Sequence, residues 1–141
     1  MSRLAVVDTN VLVSGLLSFD ESSPTARIVD GMLLGSFLFL LSEDLLAEYW
    51  EVLRRPAIRK RHGLVDRELE SVLTAIVSNG AIRDLERSST SAPDRTDQHL
   101  WDLLAAEPGV VLVTGDELLK RKPLSGTEVL SPREFFETID S

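Results

Sequence analysis

Short apolar runs alternate along the chain with longer segments in which apolar residues recur every three or four positions. Leu4-Ala5-Val6-Val7 is short and fully apolar, which suits a strand buried on both faces. Phe37 to Leu41 and Val110 to Val113 repeat that pattern, and Ala81 to Leu85 and Glu128 to Leu130 are weaker strand candidates. Helical patterns fill the intervals. One starts at about Asn10, and a second runs from Pro24 to Leu34 with Pro24 in its first turn. Ser42 can cap a third, with Glu43 and Asp44 in its first turn and Leu45, Leu46, Tyr49, Val52 and Leu53 on one side. Pro56 limits its continuation. Val65 to Val77 and Thr96 to Ala106 read as further helices, the latter ended by Pro108-Gly109. Ser131-Pro132-Arg133-Glu134 is a capping box that opens a last helix to about Ile139. The serine-rich stretch from Arg87 to Asp94, with Pro93, reads as a loop.

Strands that alternate with helices predict an α/β protein with a parallel sheet covered on both faces. At 141 residues the chain fits one domain, residues 1–141. In such folds ligands bind at the carboxyl ends of the strands, so the residues that leave those ends are the ones to inspect.

Composition narrows the chemistry. There are no cysteines, which excludes a disulfide scaffold, a thiolate metal site and a cysteine nucleophile. The longest apolar stretch, Met32 to Leu41, is interrupted by Gly35 and Ser36 and is shorter than the about 20 residues of a membrane span. Asp8 ends the first apolar run before a signal-peptide core forms, and the chain reads as cytoplasmic, with no membrane partner. The net charge of −8 argues against nucleic-acid binding, because phosphate neutralisation supplies most of that affinity. The objection weakens if several acids surround divalent cations.

Asp8 follows the first strand directly, in Val6-Val7-Asp8-Thr9-Asn10, and Asp116 follows the third clear one, in Val113-Thr114-Gly115-Asp116. Taken alone, each reads first as a helix N-cap. Asp97 shares the helix face of Leu100 and Leu104, where a carboxylate costs free energy unless it is paired, hydrogen-bonded or metal-bound. Asp94, in the preceding loop, competes with it. Glu48 borders the apolar stripe of its helix, and its plain reading is a half-exposed acid. His62 and His99 are the only histidines, and both are read as facing solvent. Neither a serine nucleophile elbow nor a phosphate-binding glycine loop is present. Carboxylates are left as the catalytic groups, and their oxygens suit hard cations.

In this order the acids resemble those of the PIN-domain nucleases. Val6-Val7-Asp8-Thr9-Asn10-Val11-Leu12 is similar to that family's opening strand and first acid. Leu45 to Pro56, with Ala47-Glu48 and Leu53-Arg54-Arg55-Pro56, resembles its second motif. Asp94-Arg95-Thr96-Asp97 with Leu100 and Ala105 resembles its third, and Val113-Thr114-Gly115-Asp116 its fourth. The nearest look within the family is to toxins of bacterial and archaeal toxin–antitoxin pairs, of the VapC type. The resemblance implies a PIN-like three-layer α/β/α fold with a five-stranded parallel sheet. It also implies a Mg²⁺- or Mn²⁺-dependent endoribonuclease, an RNA substrate and a small antitoxin partner, with a homodimer allowed. Asp8, Asp97 and Asp116 would then bind metal, Glu48 would be a ligand or water-positioning base, and Asn10 and Thr114 would fix the carboxylates.

RNA contacts are sought in Arg54, Arg55, Arg59, Lys60 and Arg61, and in Lys120-Arg121-Lys122; their plain reading is solvated surface or ion pairs. Two other functions compete. A haloacid-dehalogenase-type phosphatase also uses a strand-end aspartate, but it wants a second aspartate where Asn10 stands. A non-catalytic PIN-like binding module would have no need of four acids.

Overall fold

A computed structural model describes residues 4–84, 92, 95–124 and 126–139. Asp94 and most of the serine-rich stretch lie outside the described residues. The strands are β1 (Ala5–Val7), β2 (Leu40–Leu41), β3 (Ala81–Ile82), β4 (Val111–Val113) and β5 (Glu128–Leu130). Every ladder among them is parallel. All residues of β1 and β4 are buried. Successive side chains of a strand point to opposite faces, so both faces of the sheet are covered there.

The main sheet has three strands, in the order β1-β4-β5, not the five expected. β2 and β3 form a separate pair. A single bridge between Ala5 and Phe39 joins the pair to β1, with the Ala5 amide donating to the Leu38 carbonyl at 3.0 Å. The apolar run from Phe37 to Leu41 reports burial, but burial does not say how many residues pair. Leu38 is in fact exposed.

The helices are α1 (Thr9–Leu17), α2 (Pro24–Leu34), α3 (Glu43–Leu53), α4 (Pro56–His62), α5 (Asp66–Asn79), α6 (Gln98–Ala106), α7 (Glu117–Arg121) and α8 (Pro132–Ile139). Ser23 and Ser42 cap α2 and α3, their hydroxyls accepting from Ala26 and Leu45 at 3.2 and 3.1 Å. Gly35 ends α2 with φ at 72°, a left-handed conformation that favours glycine. The Asn79 side-chain amide donates to the Met32 and Leu33 carbonyls and satisfies that helix end.

Pro56 does more than limit α3. It stands at the first position of α4, where its missing N–H costs nothing, and so starts a helix that the apolar pattern did not mark. His62 fixes that helix to α3: its Nε2 donates to the Leu53 carbonyl at 2.8 Å, while its Nδ1 accepts from the Leu64 amide at 2.9 Å. The solvent-facing reading of His62 is therefore corrected. Close packing of α1 on α2 requires Gly15, since a Cβ there would stand 2.5 Å from the Thr25 carbonyl oxygen. No helix among the described residues is long and apolar enough to cross a membrane.

Candidate active site

The carboxyl ends of β1 and β4 lie side by side, with Val7 paired to Val113. Asp8 leaves the first and Thr114-Gly115-Asp116 leaves the second. Asp8 caps α1, one carboxylate oxygen accepting from the Thr9 amide at 2.8 Å. Its other oxygen accepts from the Thr114 hydroxyl at 2.7 Å and the Asn10 amide at 3.1 Å. Asn10 reaches back across the strand ends and accepts from the Gly115 amide at 3.1 Å. Asp116 caps α7 through the Leu118 amide at 2.8 Å, and its own amide donates to Thr114 at 3.0 Å. The cap reading and the strand-end reading thus hold together for both aspartates.

Asp8 is only 6% exposed. Burial pushes its carboxyl above the ordinary range; the hydrogen bonds from Thr114 and Thr9 pull it back in part, and the neighbouring Glu48 and Asp116 push it further up.

Glu48 comes from α3. Its carboxylate accepts from the Thr9 hydroxyl and faces His99 Nε2 at 3.6 Å. That distance makes a charge contact rather than a hydrogen bond. Both ring nitrogens of His99 are buried and find no hydrogen-bond partner among the described residues. His99 is the largest influence on the Glu48 carboxyl and lowers it; burial opposes this, and Thr9 adds to the lowering. On His99 itself burial acts downward, but Glu48, with Asp44 and Asp97 behind it, outweighs burial and raises the imidazole. His99 therefore does not face solvent, as its position in the sequence suggests. Thr9 and His99, which meet the Glu48 carboxylate, are residues of this site that the sequence did not single out. Thr9 carried a signal in its place directly after Asp8. His99 carried none, since only the packing of α6 on α3 brings it to Glu48.

Asp97 ends a short 3-10 turn, Arg95–Asp97, just before α6, and is half-buried. Asp8, Glu48, Asp97 and Asp116 all line one cavity of about 660 Å³, together with Thr9 and Asn10. No three acidic or histidine side chains among the described residues stand close enough to enclose one ion.

The basic candidates separate. Arg54 pairs with Asp66 at 3.2 Å, and Arg59 pairs with the same carboxylate. Lys120 is held by Glu134 at 3.1 Å. Lys60 is exposed and does not line the cavity, whereas Arg55 and Arg61 do.

Residues 4–118 match the family model described as "PIN domain". The chain belongs to the PIN domain family. Members of this family are in general metal-dependent nucleases. The haloacid-dehalogenase reading falls away with that match. Among solved structures, this PIN domain is similar to the PIN domain of T. brucei RRP44, at 17% identity and a TM-score of 0.47, over 98% of this chain and 81% of that one. No curated protein matches it.

Proposed function

We propose that this PIN domain is a Mg²⁺- or Mn²⁺-dependent endoribonuclease. The observation that carries the reading is the convergence of Asp8, Glu48, Asp97 and Asp116 on one cavity beside the carboxyl ends of β1 and β4. Its donor set fits a hard cation, being all oxygen. Mg²⁺ keeps several waters and is commonly held by one or two carboxylates plus substrate oxygens, so a closed cage of acids is not required.

Asp8 and Asp116 would hold the ion, with Asp97 as a further donor. A divalent ion bound there polarises a phosphoryl oxygen and lowers the pKa of water. The remaining work falls to the chain itself. Thr114 and Asn10 keep one Asp8 oxygen oriented from the side. Glu48, held by Thr9 and kept low by His99, is ionised at neutral pH and can accept a proton from the attacking water. The burial of Asp8 keeps the field at that edge strong, because little water screens it.

The likeness of the four motifs to those of VapC-type toxins supports a toxin role with a small antitoxin partner. The experiment is cleavage of single-stranded RNA by the purified protein. Mg²⁺ or Mn²⁺ should support it and a chelator should stop it. Cleavage that persists in a clean Asp8→Asn preparation would overturn the assignment. The toxin role is tested by whether induction of the chain arrests growth and co-expression of a neighbouring small reading frame relieves the arrest.

A further inference from the structure

The cavity is not acidic throughout. Beyond the four acids, its lining includes Val13 and Leu17 from α1 and Arg55, Ile58 and Arg61 from the start and body of α4. Arg55 is shared with Glu51 at 3.3 Å on the exposed face. Arg61 makes no ion pair among the described residues. Ser18 also lines the cavity, and Phe19, the next residue, is fully exposed.

A chain of net charge −8 repels a polyanion, and the acids would repel a phosphodiester most strongly where it must react. Approach needs cations at the same cavity, and among the RNA-contact candidates only Arg55 and Arg61 supply them there. The guanidinium fork suits phosphate oxygens, and an exposed aromatic ring suits a nucleobase of any identity. α4 presents these arginines in a fixed place, because His62 ties it to Leu53 and Arg59 ties it to Asp66.

We propose that Arg55 and Arg61 hold a phosphate flanking the scissile one in a single-stranded RNA, with Val13, Leu17 and Ile58 against the adjoining nucleotide and Phe19 as a stacking platform at the rim. This rests on the ribonuclease reading and assigns its substrate track. A concave site of this size admits an unpaired nucleotide, whereas the bases of a duplex are stacked and paired away from it.

The test is binding, measured apart from cleavage. Fluorescence anisotropy would follow a labelled mixed-sequence single-stranded RNA with Ca²⁺ present, across a range of salt. Arg55→Gln and Arg61→Gln should each weaken binding, and the double variant should flatten the plot of log Kd against log salt by about 0.7. Phe19→Ala should weaken binding about ten-fold. Arg67→Gln, an exposed position on α5 outside the cavity, controls for net charge. Arginine variants with the parent's affinity and slope would overturn the track, and if the parent still cleaves, the nuclease reading survives alone. Weakened variants together with a parent that cleaves nothing would keep the track and sink the nuclease reading. Equal competition by duplex RNA would overturn the single-strand assignment.

Discussion

Glu48 and His99 face each other at 3.6 Å across the junction of α3 and α6, and Thr9 donates to the same carboxylate. The pair holds an acid of the site in place from two sides. Its two members shift in opposite directions, Glu48 down and His99 up, as an ion pair requires.

The pair sets a pH dependence of stability. A raised imidazole contributes fully below its ordinary value near 6.5 and loses its contribution as pH rises through the folded value. A double-mutant cycle with Glu48→Gln and His99→Gln should give a coupling of about 0.5–1 kcal/mol at pH 6. The coupling should shrink at pH 9. A coupling that does not change between the two would mean that His99 is uncharged throughout and only fills space.

Asp8 is linked to Thr114 by a 2.7 Å hydrogen bond. Thr114→Ala should lower metal affinity or cleavage by about 10–100-fold, and Asp8→Asn should lower it further. Isothermal titration with Mn²⁺ alongside a cleavage assay checks the order. Equal losses would show that orientation by Thr114 is the whole of Asp8's role.

Buried beside other acids, the Asp8 carboxyl is raised, and the sign follows. The ionised form costs stability at neutral pH, and the cost is relieved as pH falls through the raised value. In chelator at pH 7, Asp8→Asn should therefore lose little or no stability. Mn²⁺ should stabilise the parent by about 2.7 kcal/mol at a hundred-fold excess over its Kd, and Asp8→Asn and Asp116→Asn less. Thermal melts with chelator and with Mn²⁺ read this out. The same Mn²⁺ shift in all three proteins would remove both aspartates from the metal site.

Tyr49 is fully buried and donates its hydroxyl to the Val7 carbonyl at 2.5 Å, one residue before Asp8. Burial holds its phenol well above the ordinary range, with Asp8 and Glu48 adding to the shift, so it remains a donor at all working pH. Tyr49→Phe should cost about 1–3 kcal/mol by leaving the carbonyl without this partner. Cleavage should fall as well, since the carbonyl precedes Asp8. Urea melts and cleavage rates measure both. Unchanged stability would mean that water replaces the hydroxyl.

Local chemistry wrote much of this protein in one dimension. Apolar runs mark β1 and β4, whose residues are buried on both faces, and Ser42 and Pro24 mark helix starts because capping and the fixed φ of proline act within a few residues. Asp8 and Asp116 were legible because the first directly follows such a strand and the second follows another after Thr114 and Gly115. Tertiary structure alone decided the rest. Strand pairing depends on partners far along the chain, so the split of the sheet into three strands and two carries no local signal. The seat of His99 against Glu48 depends on how α6 packs on α3, and helical periodicity cannot report that. Charge in the sequence did not distinguish Arg55 and Arg61, which line the cavity, from Arg54 and Arg59, which Asp66 holds; the position of Asp66 at the start of α5 separates them.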